Sequence, residues 1–402
     1  MKRIITELIS NKSCFGCGLC VTACPKGAIE LRLNNEGFYI PSLVNSSVCN
    51  KCSLCTKVCS YIDSNDSVFT YPIASYGAWS RDKNIRKRSS SGGVAFEVGK
   101  FLLAQGYDVC SVRYNSLENI AEHFIASSVE ELIPSMGSKY IQSYTVNAFR
   151  QLDKKKKVLL IGTPCQIDSF RKYATLYHCE DNFVFVDFFC HGVPSKNLWD
   201  KYIANAEKIV GKVIYATWRN KINGWHDSWA IGINGESADK PTGGVESLYT
   251  IEDEPMTQID SRFTKGDAFY RMFLEHHCLN EACHKHCKFK RYCSSADIRL
   301  GDFWGKTYSN NEDGVSSVLC FTEKGNKIIK CASLYLEAHT PETVSEGQLS
   351  YNAKASVMRP VFMTLLKHKQ TSLIDIQRLL FVYRLIQLPQ RVLNKIKTII
   401  IR

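Results

Sequence analysis

Val158-Leu159-Leu160-Ile161-Gly162-Thr163-Pro164-Cys165-Gln166 and Phe183-Val184-Phe185-Val186-Asp187-Phe188-Phe189-Cys190-His191-Gly192 decide the fold of the body of this chain. Each opens as a continuous apolar run, and a helical stretch separates them. Runs that are apolar on both faces fit strands of a parallel sheet covered on both sides. Each run delivers a cysteine at its carboxyl end, the rim where open α/β sheets place their ligands. One such cysteine reads as an inert core thiol; two at equivalent positions point to a shared site. The expected class is α+β or α/β, with a small cysteine-rich head, a larger α/β body and a helical C-terminal tail.

Working outward, a third cysteine group follows at Cys278-x4-Cys283-x3-Cys287-x5-Cys293, with His276, His277, His284 and His286 close by. Thiols and imidazoles together keep zinc open as an alternative there. Ala296 to Gly305 reads as a short strand ending in an acidic, aromatic turn. Upstream, Arg86-Lys87-Arg88-Ser89-Ser90-Ser91-Gly92-Gly93 precedes a helix expected over Val94 to Gln105 and closed by Gly106. Hydroxyls, glycines and basic residues before a helix N-terminus suit a phosphate, and equally an ordinary cap with a solvated loop. Cys110, Cys179, Cys320 and Cys331 stand alone and read as packing residues.

At the amino end, Cys14-x2-Cys17-x2-Cys20-x3-Cys24-Pro25 is repeated as Cys49-x2-Cys52-x2-Cys55-x3-Cys59. Such spacing wraps a [4Fe-4S] cubane with three thiolates, while the fourth cysteine starts a helix and reaches the other cluster. The ligand sets are therefore crossed: Cys14, Cys17, Cys20 and Cys59 for one, Cys49, Cys52, Cys55 and Cys24 for the other. Gly16 and Gly18 allow the tight turn and present N–H groups to sulfur. Ser60 stands where the first run has its proline. A pair of zinc sites lacks this x2-x2-x3 rhythm. The polar stretch Ser64-Asn65-Asp66-Ser67 reads as a linker.

With 402 residues and 18 cysteines, eight of them before residue 60, the chain is too long and too aromatic for a disulfide miniprotein. Met1 to Glu7 offer no secretory apolar run, and no stretch reaches a membrane span, so a cytoplasmic protein with metal-binding cysteines is expected. The net charge is +12. Three clusters would bring the loaded protein to about +6, and Lys154 to Lys157 reads as a solubilising flank, so no nucleic-acid partner is expected. Residues 390–402 place Val392, Leu393, Ile396, Ile399 and Ile400 on one helical side. That side suits docking on the protein itself or a second subunit, with weak contact to an anionic membrane as the alternative.

The head resembles a dicluster ferredoxin domain. The body resembles the coenzyme F-420 hydrogenase/dehydrogenase beta-subunit family. The stretches that carry the likeness are Ser89 to Gly93, Gly137-Ser138-Lys139-Tyr140-Ile141-Gln142-Ser143, Gly162 to Gln166 and Cys190-His191-Gly192-Val193-Pro194-Ser195. Trp218-Arg219-x-Lys221 with Gly224-Trp225, and Gly301-Asp302-Phe303-Trp304-Gly305, fit as well. The resemblance implies FAD, a third [4Fe-4S] cluster and exchange between one-electron carriers and a two-electron partner. By resemblance Ser89, Ser90, Ser91, Gly92, Gly93, Ser138, Lys139 and Tyr140 contact the flavin, Lys139 near its pyrophosphate or the N1 side of its ring. Cys165, Cys190, Cys283 and Cys287 hold the third cluster, and Cys278 and Cys293 are the reserve thiols because Cys283-x3-Cys287 is one residue longer than the family spacing.

The expected organisation is a ferredoxin-type head over 1–62, a flavin-binding region over 63–155, a third-cluster region over 156–310 and a mostly helical tail over 311–402. The function read from these parts is a ferredoxin-linked flavin oxidoreductase acting on a deazaflavin or another small molecule, with ferredoxin or another carrier protein as partner. A non-catalytic electron-transfer subunit in a larger complex is the alternative, and a cluster-based sensor the third class.

Overall fold

The computed structural model describes residues 4–8, 14–62, 69–236, 251 and 257–400, with side chains up to residue 388. Fourteen strands are described. The head contains β1 (Ile29–Leu33) and β2 (Tyr39–Leu43), an antiparallel pair. The body continues with β3 (Ala74–Ser80), β4 (Asp108–Asn115), β5 (Ile120–Ala126), β6 (Ser143–Tyr144), β7 (Val158–Ile161) and β8 (Phe183–Phe188). Next come β9 (Val213–Arg219), β10 (Trp229–Gly235), β11 (Ile259–Arg262), β12 (Ile298–Asp302), β13 (Ser316–Cys320) and β14 (Leu334–Ala338).

Nine of these strands form the main sheet, in the order β14-β3-β13-β12-β8-β7-β4-β5-β6. Its centre is parallel: β7 pairs with β8 through Leu160↔Phe185, β4 flanks β7 and β12 flanks β8. Val158, Leu159, Leu160, Phe183, Val184 and Phe185 are all buried, as the apolar runs required. Antiparallel strands complete both sides. A second sheet, β11-β10-β9, packs with the helices Lys196–Val210 and Ala268–Leu274 around Trp199, Trp218 and Tyr270.

The helix expected over Val94 to Gln105 runs from Val94 to Leu103, with Gly106 in the turn behind it at φ +78°. Residues 311–402 are mostly helical, and they also supply two strands that the sequence reading did not place: β13 and β14 belong to the main sheet and enclose β3. The cause is long-range pairing, which short runs such as Ser316-Ser317-Val318-Leu319-Cys320 do not announce locally. Beyond them the chain is helical, ending in Leu373–Ile400. Leu373, Ile376 and Leu380 of that helix dock into the body, while Phe381, Leu385 and Ile386 face outward. The reading of Val392, Leu393, Ile396, Ile399 and Ile400 concerns side chains outside the described ones, and Ser64 to Ser67 also lie outside the described residues. Among the described residues no helix is long and apolar enough to cross a membrane. Cys110, Cys179 and Cys320 are buried packing residues, whereas Cys331 is exposed.

A buried ion pair locks the sheet to the loop between Cys287 and Cys293. Arg299 on β12 donates through Nε and Nη2 to both carboxylate oxygens of Asp187 on β8, each at 2.7 Å. Its Nη1 donates to the carbonyls of Phe289 and Arg291, and the Ser294 hydroxyl donates to Asp187. Both charged side chains are fully buried. Arg299→Met should cost about 3–5 kcal/mol by stranding the Asp187 carboxylate. The thermal midpoint should fall by several degrees, and the Asp187→Asn/Arg299→Met double variant should recover part of the loss.

Candidate functional site

The head contains two cavities. One is lined by Cys14, Cys17, Cys20 and Cys59, the other by Cys24, Cys49, Cys52 and Cys55. This is the crossed grouping expected from the spacing. One local detail differs: the short helices Leu19–Thr22 and Leu54–Lys57 contain the third cysteine of each run, and Cys24 and Cys59 come just after them. The tight entry is set by Gly16 and Gly18, both at positive φ, and the Gly16 N–H lies 3.2 Å from Cys14 Sγ. A side chain at Gly16 would collide with Gln142 and the Tyr39 carbonyl. Burial, with neighbouring thiols adding to it, pushes Cys14 and Cys20 well up and Cys59 to about 11. Four soft donors around each cavity suit an iron–sulfur core, and loading it displaces the thiol protons.

The parallel strands bring a further cysteine group together at their carboxyl rim. Cys165 occupies the first turn of the helix Pro164–Leu176, which follows β7, and Cys190 lies two residues beyond β8. Proline at the first helical position and the Thr163 N–H donating to Gln166 Oε1 at 2.8 Å fix where that helix begins. Cys283 comes from the helix Glu281–Lys285, and Cys287 from the loop behind it. Desolvation raises the Cys165 thiol most, then the proximity of Cys17, Cys190 and Cys283. Cys283 is raised to about 12 by burial, with Cys190 and Cys287 contributing.

Cys278 stands apart. It is buried in the helical core with Sγ directed at the Met272 carbonyl. The nearby histidines have other partners: His276 meets the Lys354 carbonyl, His284 the Ala353 carbonyl and His277 the Glu275 carboxylate. His286 sits edge-on to Tyr61. Among the described residues no three Cys, His, Asp or Glu side chains converge as a single metal ion would need.

On the same rim, β12 ends in Asp302, two residues before Trp304. Arg219, fully buried at the end of β9, forms a two-pronged pair with Asp302 at 2.9 and 3.2 Å. Trp225 Nε1 donates to the same carboxylate at 2.9 Å, and Trp225 stacks on Trp304. Tyr140 stacks on Trp229, and Arg219 lies over the rings of Trp229 and Trp304. The serine loop joins here: the Arg219 guanidinium donates to the Ser90 carbonyl, and the Ser138 N–H donates to Ser90 Oγ at 2.8 Å. Lys221 donates to the carbonyls of Arg86, Ser91 and Asp313. Lys139, read by resemblance as lying near the pyrophosphate or the N1 side of the flavin, is held by its own turn in this structure. Its ammonium reaches the carbonyls of Pro134, Ser135, Met136 and Gly137 at 2.9–3.0 Å, and burial, then the charge of Arg88, lowers it to about 7.

Residues 75–150 match the N-terminal part of the family described as coenzyme F420 hydrogenase/dehydrogenase, beta subunit, and residues 155–344 match its C terminus. Residues 13–61 match the 4Fe-4S dicluster domain. The chain belongs to the coenzyme F420 hydrogenase/dehydrogenase beta-subunit family. Its head is thus a domain of the kind that carries iron–sulfur clusters. The chain is 29% identical over 178 residues to one of the subunits of the F(420)H(2) dehydrogenase of Methanosarcina mazei, covering 42% of this chain and 50% of that protein. It is 21% identical over 341 residues to the coenzyme F420-dependent sulfite reductase of Methanocaldococcus jannaschii, covering 82% and 47%. The chain thus spans about half the length of these curated relatives. A chain of the F420-reducing [NiFe] hydrogenase complex of Methanosarcina barkeri, solved with xenon, aligns at TM-score 0.43 and 17% identity, over 77% of this chain and 91% of that one.

In this beta-subunit-type chain, the residues that sequence reasoning placed in a motif without a role are the ones that build the rim: Arg219, Trp225, Asp302 and Trp304. Gln142 is another. It accepts from the Tyr39 N–H at 2.8 Å and donates to the Phe15 carbonyl at 3.0 Å, fastening head to body. The two cavities make the crossed head testable. Cys59→Ser should remove the cluster signal shared with Cys14, Cys17 and Cys20, and Cys24→Ser the other, each read by EPR of the reduced protein. Loss of the same signal in both variants would refute the crossing.

Proposed function

We propose that this chain is an iron–sulfur flavoprotein that exchanges single electrons through its head with a two-electron centre on the rim of the main sheet. The observation that carries the reading is the continuity of the groups. Cys17 of the first head cavity neighbours Cys165, and Cys165 belongs with Cys190 and Cys283. From Cys190 the rim runs through His191, whose ring lies 5.0 Å from Phe273, and on to Tyr140 at 5.4 Å from Phe273.

In this reading Cys165, Cys190, Cys283 and Cys287 hold a third [4Fe-4S] cluster, two thiolates from the rigid sheet end and two from the later segment. An FAD bound beside them would supply the step between one- and two-electron chemistry. Ser89 to Gly93 and Ser138 to Tyr140 would border it, with the N–H groups at the start of the helix Val94–Leu103 available to a phosphate. Arg219 is neutralised by Asp302, so its task is to hold the serine loop and the Trp229 and Trp304 rings in register. Lys139 rigidifies the 134–137 turn rather than contacting the phosphate. The two-electron partner is a deazaflavin or another small molecule, and a carrier protein meets the head.

Anaerobic purification should give about 12 iron atoms and one flavin per chain, and a deazaflavin should reoxidise the reduced flavin. Cys165→Ser should lower iron to about eight and block electron flow from head to flavin, while dithionite still reduces the flavin. Iron near eight with no flavin in the unaltered protein would overturn the reading and leave an electron relay.

A further inference from the structure

The helix Pro164–Leu176 carries Cys165, Ser169 and Lys172, spaced i, i+4 and i+7 and therefore on one face. That face meets the head at Cys17, Cys59 and Ser60. Ser169 is fully buried, with Oγ 3.3 Å from Cys17 Sγ. The same Oγ accepts the Ser60 N–H at 3.2 Å, one residue past Cys59. Lys172 reaches the Cys59 carbonyl at 3.5 Å. The direction of the Ser169 bond follows from its partners. Ser60 N–H can only donate, so it takes an acceptor position on the oxygen and leaves the hydroxyl hydrogen for Cys17. A cysteine that ligates iron has no proton to give, so in the loaded protein Ser169 is the donor. Both head cavities are lined by head residues alone, so Ser169 reaches the ligand Cys17 from outside the cavity wall.

We propose that Ser169 tunes the cluster held by Cys14, Cys17, Cys20 and Cys59, raising its reduction potential so that this cluster is the head's junction with the Cys165 site. A hydrogen bond to a ligating sulfur favours the more negative, reduced state, and such bonds are among the determinants of cluster potential. A raised potential would favour this cluster over the one held by Cys24, Cys49, Cys52 and Cys55 as the place where an electron rests, beside the helix that bears Cys165. The assignment rests on the proposed function for the third site, but the hydrogen bond itself belongs to the head.

The test is an EPR-monitored redox titration of the whole chain, with iron counted in each preparation. In Ser169→Ala one cluster should move to lower potential by about tenfold in its reduction equilibrium, roughly 59 mV for one electron, with the other clusters unmoved. Ser169→Thr, which keeps the hydroxyl, should hold the original potential. If Ser169→Ala keeps its iron and every potential stays in place, the inference is overturned. A Ser169→Thr variant shifted as far as the alanine variant would also overturn it, by showing that packing rather than the hydrogen bond is responsible. Iron near eight in the unaltered protein would remove the third site, and the Ser169 comparison would still decide the tuning on the head cluster alone.

Discussion

The helix that begins at Pro164 is the constraint on which the rest of the molecule depends. Its start is fixed by a proline and by the Thr163–Gln166 contact, and it follows directly from a central parallel strand. A shift of that start by one turn would swing Cys165 away from Cys190 and lift Ser169 off Cys17. The remaining head–body contacts are consistent with a fixed docking: Thr145 donates to the Cys17 carbonyl, Asn280 to the Cys14 carbonyl and Ser195 to the Glu36 carbonyl. Head and body are therefore placed by hydrogen bonds to backbone around the cysteines, where a shift of an ångström changes which thiols face each other.

Much of this was legible in the chain itself, for physical reasons. The x2-x2-x3 spacing has few uses, so the eight head thiols and their crossing could be read directly. The runs at Val158 and Phe183 are apolar on both faces and announce central parallel strands. What escaped is what depends on residues far apart. Nothing near Ser169 marks it as a partner of Cys17, and Arg219 is an ordinary strand arginine until Asp302 arrives from another strand. Lys139 is a further case: a lysine in a motif suggests an anion, and the sequence does not announce the four carbonyls of its own turn that its ammonium meets. Short strands such as β13, with two serines among five residues, pair because of their neighbours rather than their own composition.

The Asp187–Arg299 pair gives the rim a stiffness that the cysteine segment alone lacks. Residues 287–293 form a loop of charged and aromatic residues, and two of its carbonyls are held by a buried guanidinium. The sheet thus reaches out to hold the loop behind Cys287.

Strand β3 carries a consequence for how the protein is made. It follows the head almost at once in the chain, yet both of its sheet neighbours, β13 and β14, come from near the other end. On the ribosome this strand must wait, unpaired, until the chain beyond residue 338 has emerged. Pairings of such long sequence separation form late, whereas local units fold first. The head, whose cavities are lined by its own residues, can therefore take up iron and sulfide while the body is still open. The edge of the main sheet that holds β3 is finished last.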